Sequence, residues 1–216
     1  MENAGNFFVQ GAQNAGEVQH RSRSVQSYQV LVKISGSLSG KVKAEQEYAQ
    51  ERYGQSGFLG MNPELVLARF EAKEEMEETL LRWLHRIVGQ QEAFNILFNN
   101  YGSMPGYPLY LRVQDPAPFR TLTEGLRVID GLLKNNDCKT MQIFHHPRLA
   151  ITSQIDKRQE MEIMLDFSGR SFREEMAVEE VLLVKTASAH SGGGIVCRLM
   201  LSPMGLKRTE SISPTT

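Results

Sequence analysis

The feature that most constrains this chain is an internal echo. Pro63-Glu64-Leu65-Val66-Leu67-Ala68 and Pro147-Arg148-Leu149-Ala150-Ile151-Thr152 share a proline followed by an alternating apolar run. Each is the second strand in an order of strand, helix, strand, helix. Side chains alternate across a strand, so Glu64 and Val66 share one face of the first copy, and Arg148 and Ala150 share the equivalent face of the second. A long repeat that occurs only twice does not make a solenoid, which needs three or more stacked units. Two similar lobes facing a central cleft satisfy the pattern, with the echoed strands lining that cleft.

The periods of the surrounding sequence supply the remaining elements. Tyr28 to Ile34 alternates as a strand and stops at Gly36; Ser37 or Ser39 then starts a helix whose inner face is Leu38, Val42, Ala49 and Tyr53. A glycine-rich loop from Gly54 to Gly60 leads into the strand Glu64 to Phe70. Lys73 to Val88 carries Met76, Leu80, Trp83, Leu84, Ile87 and Val88 at helical spacing, and Phe94 to Asn100 is a strand. In the second half, Tyr107 to Val113 is a strand. Pro116 and Pro118 begin a helix lined by Phe119, Leu122, Leu126, Ile129 and Leu133. The strand Arg148 to Ser153 precedes a helix capped by Asp156 and Gln159 and running to about Phe167. Strands near Val181 to Thr186 and Ile195 to Leu201 flank the turn His190 to Gly194, a hairpin connection rather than a phosphate loop, because no Lys-Ser/Thr and no helix follow. The methionines, Met141, Met161, Met164, Met176, Met200 and Met204 among them, are expected to fill gaps in the core.

These elements make an α+β chain in which residues 27–203 form one bilobal domain with interleaved lobes, between flexible tails at 1–26 and 204–216. Charge narrows the partners: 24 Lys and Arg against 25 Asp and Glu leave a net charge of −1, so no broad cationic surface draws the chain to nucleic acid. No apolar run approaches the ~18 residues that span a bilayer, and the N-terminal residues lack a secretory pattern, so a cytoplasmic protein is expected. Cys138 and Cys197 have no neighbour at metal-ligand spacing and are expected as free thiols; neither a metal nor a cofactor is expected.

The opening strand and helix, SYQVLVKISGSLSGKVKAEQEYAQERYG, and the pattern Pro-x-Leu-x-Leu-Ala-Arg-Phe at Pro63 to Phe70 resemble the 2'-5' RNA ligase-like branch of the two-histidine phosphoesterase superfamily. The resemblance covers residues 27 to about 202. It implies a bilobal α+β fold with a four-stranded antiparallel sheet in each half and a cleft between them. It also implies a His-x-Thr or His-x-Ser on each motif strand, directly after the proline. Opening a cyclic phosphate, or forming a 2'-5' phosphodiester, needs a base on the attacking oxygen, an acid on the leaving one and hydroxyls on the phosphoryl oxygens. Two facing imidazoles supply the acid and base near neutral pH.

In this chain the histidine positions are Glu64 and Arg148, and the hydroxyl positions are Val66 and Ala150. The expected consequence is a retained fold without the ancestral reaction. His146 precedes Arg148 by two residues and so shares its strand parity, which points it to the cleft rim; His145 has the opposite parity, and His85, His190 and His20 fall on a helix, a turn and the tail. Glu64 and Arg148 are expected to pair across the cleft. Two other readings stand beside that one: Arg148 receives a ligand phosphate or carboxylate, or Glu64 serves as a base in a re-invented active site. Tyr101, Tyr107 and Tyr110 offer stacking surfaces for a base or ordinary packing. The ligand-binding candidates are Glu64, Arg148, His146 and Tyr110. The leading function is a non-catalytic or diverged protein that binds a small phosphate or nucleotide ligand in the cleft. The alternatives are an active cyclic phosphodiesterase or RNA ligase using other residues, and a protein interaction scaffold. RNA is a partner that the resemblance implies and the charge supports only weakly.

Overall fold

The computed structural model describes residues 24–34, 36–54, 63–103, 109–152, 157–186 and 193–205. Among the described residues nine strands form two sheets. β1 (Val25–Lys33), β2 (Glu64–Lys73), β5 (Gln142–Ile143), β8 (Glu180–Lys185) and β9 (Gly194–Met200) make a five-stranded sheet in the order β5-β2-β1-β8-β9. β3 (Phe94–Gly102), β4 (Tyr110–Val113), β6 (Arg148–Ala150) and β7 (Arg173–Val178) make a four-stranded sheet in the order β6-β4-β3-β7. Every neighbouring pair is antiparallel. The expected four-plus-four arrangement gains a strand because the chain lays Gln142 and Ile143 on the edge of β2, opposite Arg69 and Ala68, before crossing to the other sheet. β2 and β6, the two echoed strands, meet at the junction of the sheets.

The helices are α1 (Gly36–Tyr53), α2 (Glu77–Val88), α3 (Ala117–Gly125), α4 (Arg127–Lys134) and α5 (Lys157–Ser168). α1 follows a strand of the five-stranded sheet yet docks on the other lobe. Its buried stripe is Leu38, Val42, Gln46, Ala49 and Tyr53, and the polar member is satisfied: Gln46 Nε2 donates to the Ala150 carbonyl of β6 at 3.0 Å. The hydroxyls of Tyr48 and Tyr53 donate to Asp166 of α5 at 2.8 and 2.7 Å. Helices α2 to α4 serve the five-stranded sheet, where the fully buried Leu80, Leu84, Phe119 and Ile129 join Val30, Leu65 and Leu67 in one core. Buried apolar area of this kind is the main favourable term in holding the two layers together.

Several expectations need correction. Trp83 is about one-third exposed, with Arg86 stacked on it, because Leu80, Leu84 and Val88 form the centre of the buried stripe and Trp83 falls on its flank. The single helix expected over Phe119 to Leu133 is two helices, divided at Leu126. Of the named methionines, Met141 is buried and Met176 partly so, whereas Met161, Met164, Met200 and Met204 are exposed. Met packs well but does not itself mark burial. β7 was not foreseen, since its pattern Arg-Glu-Glu-Met-Ala-Val carries too few apolar residues to stand out. Of the segments expected as tails, residues 1–23 and 206–216 lie outside the described residues, as do residues 55–60 of the Gly54 to Gly60 loop, Tyr107, Ser153, the Asp156 cap and His190; Val25 and Gln26 belong to β1. Among the described residues no helix is long and apolar enough to cross a membrane.

Candidate functional site

The site is built from the faces of β2, β4 and β6 that point away from the core. On β2, Leu65 and Leu67 are buried while Glu64 and Val66 are half-buried on the opposite face, as the alternation requires. The pairing of β1 with β2 then slips between Val30 and Leu31, so Leu67 and Ala68 are both buried. A bulge of this kind reverses parity. Arg69, and not Ala68, therefore joins Glu64 and Val66. Lys33 lies directly opposite Glu64 on β1. Burial raises the Glu64 carboxyl above the ordinary carboxylate range, and the charge of Arg69 pulls it part of the way back.

On β6, Leu149 is buried, Arg148 is exposed and Ala150 is half-buried. The ladder sets Arg148 opposite Arg112 of β4, and Ala150 opposite Tyr110. Arg148 stacks on the Tyr110 ring, 4.7 Å from its centre, and Arg112 Nε donates to the Asn99 carbonyl at 3.3 Å. Tyr110 and Arg112 crowd a glycine: a Cβ on Gly102 would lie 2.7 Å from the Tyr110 ring and 2.9 Å from Arg112 Cγ. The juxtaposed pair Arg112 and Arg148 was missed from sequence because it depends on the β4–β6 register.

The expected ion pair is not formed: among the described residues no salt bridge joins Glu64 to Arg148, whose guanidinium lies over Tyr110 on its own sheet. His146 is also placed differently. β6 begins only at Arg148, so strand parity does not extend to His146, which is exposed with Nε2 3.4 Å from Arg120 Nη2 of α3. His145 turns to the same helix, its Nδ1 2.8 Å from Thr123 Oγ1 and its Nε2 3.7 Å from Glu124. His85 of α2 meets Cys197 of β9 at 3.3 Å. None of these three described histidines lies on β2 or β6. A cavity of about 540 Å³ lined by Trp83, Arg86, Gln90, Thr121 and Val128 opens among the helices, and none of its lining residues is on a strand. Among the described residues no group of three or more His, Cys, Asp or Glu is placed to hold a metal ion.

No family model matches the sequence, and no curated protein matches it. Solved structures do match. LigT of E. coli complexed with 3'-AMP aligns at a TM-score of 0.56 with 16% identity, over 82% of this chain and 99% of LigT. TT0787 of Thermus thermophilus aligns at 0.58 with 17% identity, over 82% of this chain and 99% of its own. A further structure described as a phosphoesterase aligns at 0.52 with 17% identity, over 83% and 99%. The chain has the LigT-like two-histidine phosphoesterase fold. Within the LigT-like fold, the two strands that meet at the sheet junction carry Glu64 with Val66 and Arg148 with Ala150. The LigT-like scaffold here presents a carboxyl, three guanidinium groups and a phenol ring on β2, β6 and their neighbour β4.

Proposed function

We propose that this chain is a diverged LigT-fold protein that binds a phosphorylated or nucleotide ligand at the junction of β2 and β6 without turning it over. The observation that carries the reading is the direct opposition of Arg112 and Arg148, with Tyr110 beneath Arg148. Like charges opposed across a ladder disfavour each other. An anion placed between them meets two guanidinium groups, and their planar forks match phosphate oxygens. The solved LigT complexes with 3'-AMP, phosphate, ATP and NADP+ support a ligand of this chemistry for the scaffold. Loss of turnover follows from the same positions, since neither motif strand carries an imidazole or a hydroxyl at the family's places.

A second reading rests on Glu64, whose raised pKa suits a general base better than an ordinary glutamate. Two assays separate the readings. In a thermal-shift series with 3'-AMP, ATP and NADP+, a ligand at about 100 times its Kd adds about 2.7 kcal/mol of stability by mass action. The expected result is a rise that Arg148→Ala removes; no rise with any of them overturns ligand binding and leaves an interaction scaffold. Incubation with 2',3'-cyclic nucleotides is expected to give no product. Turnover that Glu64→Gln abolishes replaces the first reading with the second.

A further inference from the structure

The chain leaves β9 beside an open groove. After Met200, Ser202 pairs in parallel with Glu92; its amide donates to the Gln91 carbonyl at 2.9 Å, and its carbonyl accepts from the Ala93 amide at 2.8 Å. The Ser202 hydroxyl donates to the carbonyl of Gly89, at the C-terminus of α2. These bonds hold the chain next to the cavity of about 540 Å³ among α2, α3 and α4, because Gln90 and Gln91 are among its lining residues. Gly205, with a φ of 85°, turns the chain three residues later.

The groove has an apolar wall and a cation without an acidic partner. α2 and α3 meet closely at its floor: a Cβ on Gly125 would lie 2.8 Å from Ile87 Cγ2, and Leu122 is buried. Trp83 and Val128 line it while 36% and 48% exposed. Apolar side chains gathered in a concavity gain from being covered. The Arg86 guanidinium lies 5.7 Å from the centre of the Trp83 ring. Among the described residues neither Arg86 nor the exposed Glu92 beside the groove forms a salt bridge.

Residues 206–216, Leu-Lys-Arg-Thr-Glu-Ser-Ile-Ser-Pro-Thr-Thr, follow Gly205 directly. Fully extended they span about 36 Å, and the groove begins beside Ser202. Leu206 and Ile212 match the apolar wall, Glu210 matches Arg86, and Lys207 and Arg208 match Glu92. We propose that the groove is a docking site for this segment of the same chain, with Leu206 and Ile212 covering Trp83 and Val128 and Glu210 meeting Arg86. Nine residues line the groove, against about 20–30 a side in a stable complex, which is too little to hold a separate partner. A tethered segment meets it at a millimolar effective concentration, so weak contacts suffice. None of the lining residues is on a strand, so this contact is separate from the β2–β6 junction.

Trp83 is the only tryptophan in the chain, so its fluorescence reads the groove directly. The test compares the full chain with the same chain carrying Leu206→Asp and Ile212→Asp, two positions outside the described core. Wild type is expected to give the bluer emission and the weaker quenching by acrylamide; the double variant shifts to the red and quenches more strongly. A synthetic peptide of residues 206–216 is expected to reverse both changes saturably in the double variant, with a Kd on the order of 1 mM, and to leave wild type unchanged because its groove is filled. Val128→Asp, at an exposed position on the groove wall, is expected to open the groove in the full chain and to abolish the peptide response. Equal emission and quenching in wild type and the double variant overturn the proposal, as does a peptide without effect. A wild-type signal that changes between about 1 and about 100 μM protein also overturns it, since mass action then assigns the cover to a second copy.

Discussion

The guanidinium of Arg148 lies 4.7 Å from the centre of the Tyr110 ring, and the two residues sit diagonally across the β4–β6 ladder. That contact lies within the four-stranded sheet, and among the described residues no salt bridge joins Arg148 to Glu64. A cation over an aromatic face at an open site contributes about 0.5–1 kcal/mol.

Replacing the ring tests how Arg148 is presented. Tyr110→Leu is expected to lower the melting temperature by about 2–4 °C, the shift for about 1 kcal/mol in a chain of this size. It is also expected to weaken the response to nucleotides about three- to tenfold, because Arg148 then samples more orientations before binding. An unchanged dose-response curve shows that the stack does not position the charge.

Glu64 makes a prediction in pH. Its folded-state pKa is raised, chiefly by burial, so its contribution to stability is fully present below the ordinary carboxylate range and is lost as pH rises through the raised value. Glu64→Gln removes that dependence. The variant is expected to gain on wild type as pH is taken from about 4 to about 8, which parallel melting curves measure. A variant that instead loses ground to wild type over that range contradicts the assigned direction.

Asp166 runs the other way. Its pKa is lowered, first by the Tyr53 hydroxyl and then by Tyr48 and the neighbouring arginines, against some loss of solvation. Its contribution is therefore present above the ordinary aspartate range and is lost as pH falls through the lowered value. Asp166→Ala is expected to cost about 2–3 kcal/mol at neutral pH, from two charge-assisted hydrogen bonds between α1 and α5. In urea titrations the difference from wild type is expected to shrink in acid. A constant difference means that Asp166 acts through packing alone.

Gly102 marks the closest approach on the site face. A Cβ there would fall 2.7 Å from Tyr110 Cε2, so Gly102→Ala forces the ring or the strand to move. The expected cost is about 1–3 kcal/mol, as for other overpacked positions. Nucleotide response is expected to fall with it, since Tyr110 supports Arg148. Full stability together with full response means that the ring has room to move aside.

Much of this was legible in the chain itself. The echoed prolines located β2 and β6, and the alternation after them placed Glu64, Val66, Arg148 and Ala150 away from the core. The site as a whole was less legible. Arg69 was hidden by a bulge that adds one residue between Val66 and the rest of β2. His146 was assigned by extending strand parity into a bend where no strand exists.

The sequence by itself determined the kind of element at most positions, the duplicated strands and which side chains stand on their outward faces, because burial alternation and residue identity are local properties. The tertiary structure alone decided that α1 crosses to the other lobe, that Arg112 stands beside Arg148 and that Glu45 of α1 holds Arg170. These three arrangements arise from strand register and helix docking between segments far apart in the chain. The energy that selects them is spread over the packed core that the segments share, so no single stretch of sequence carries its signature.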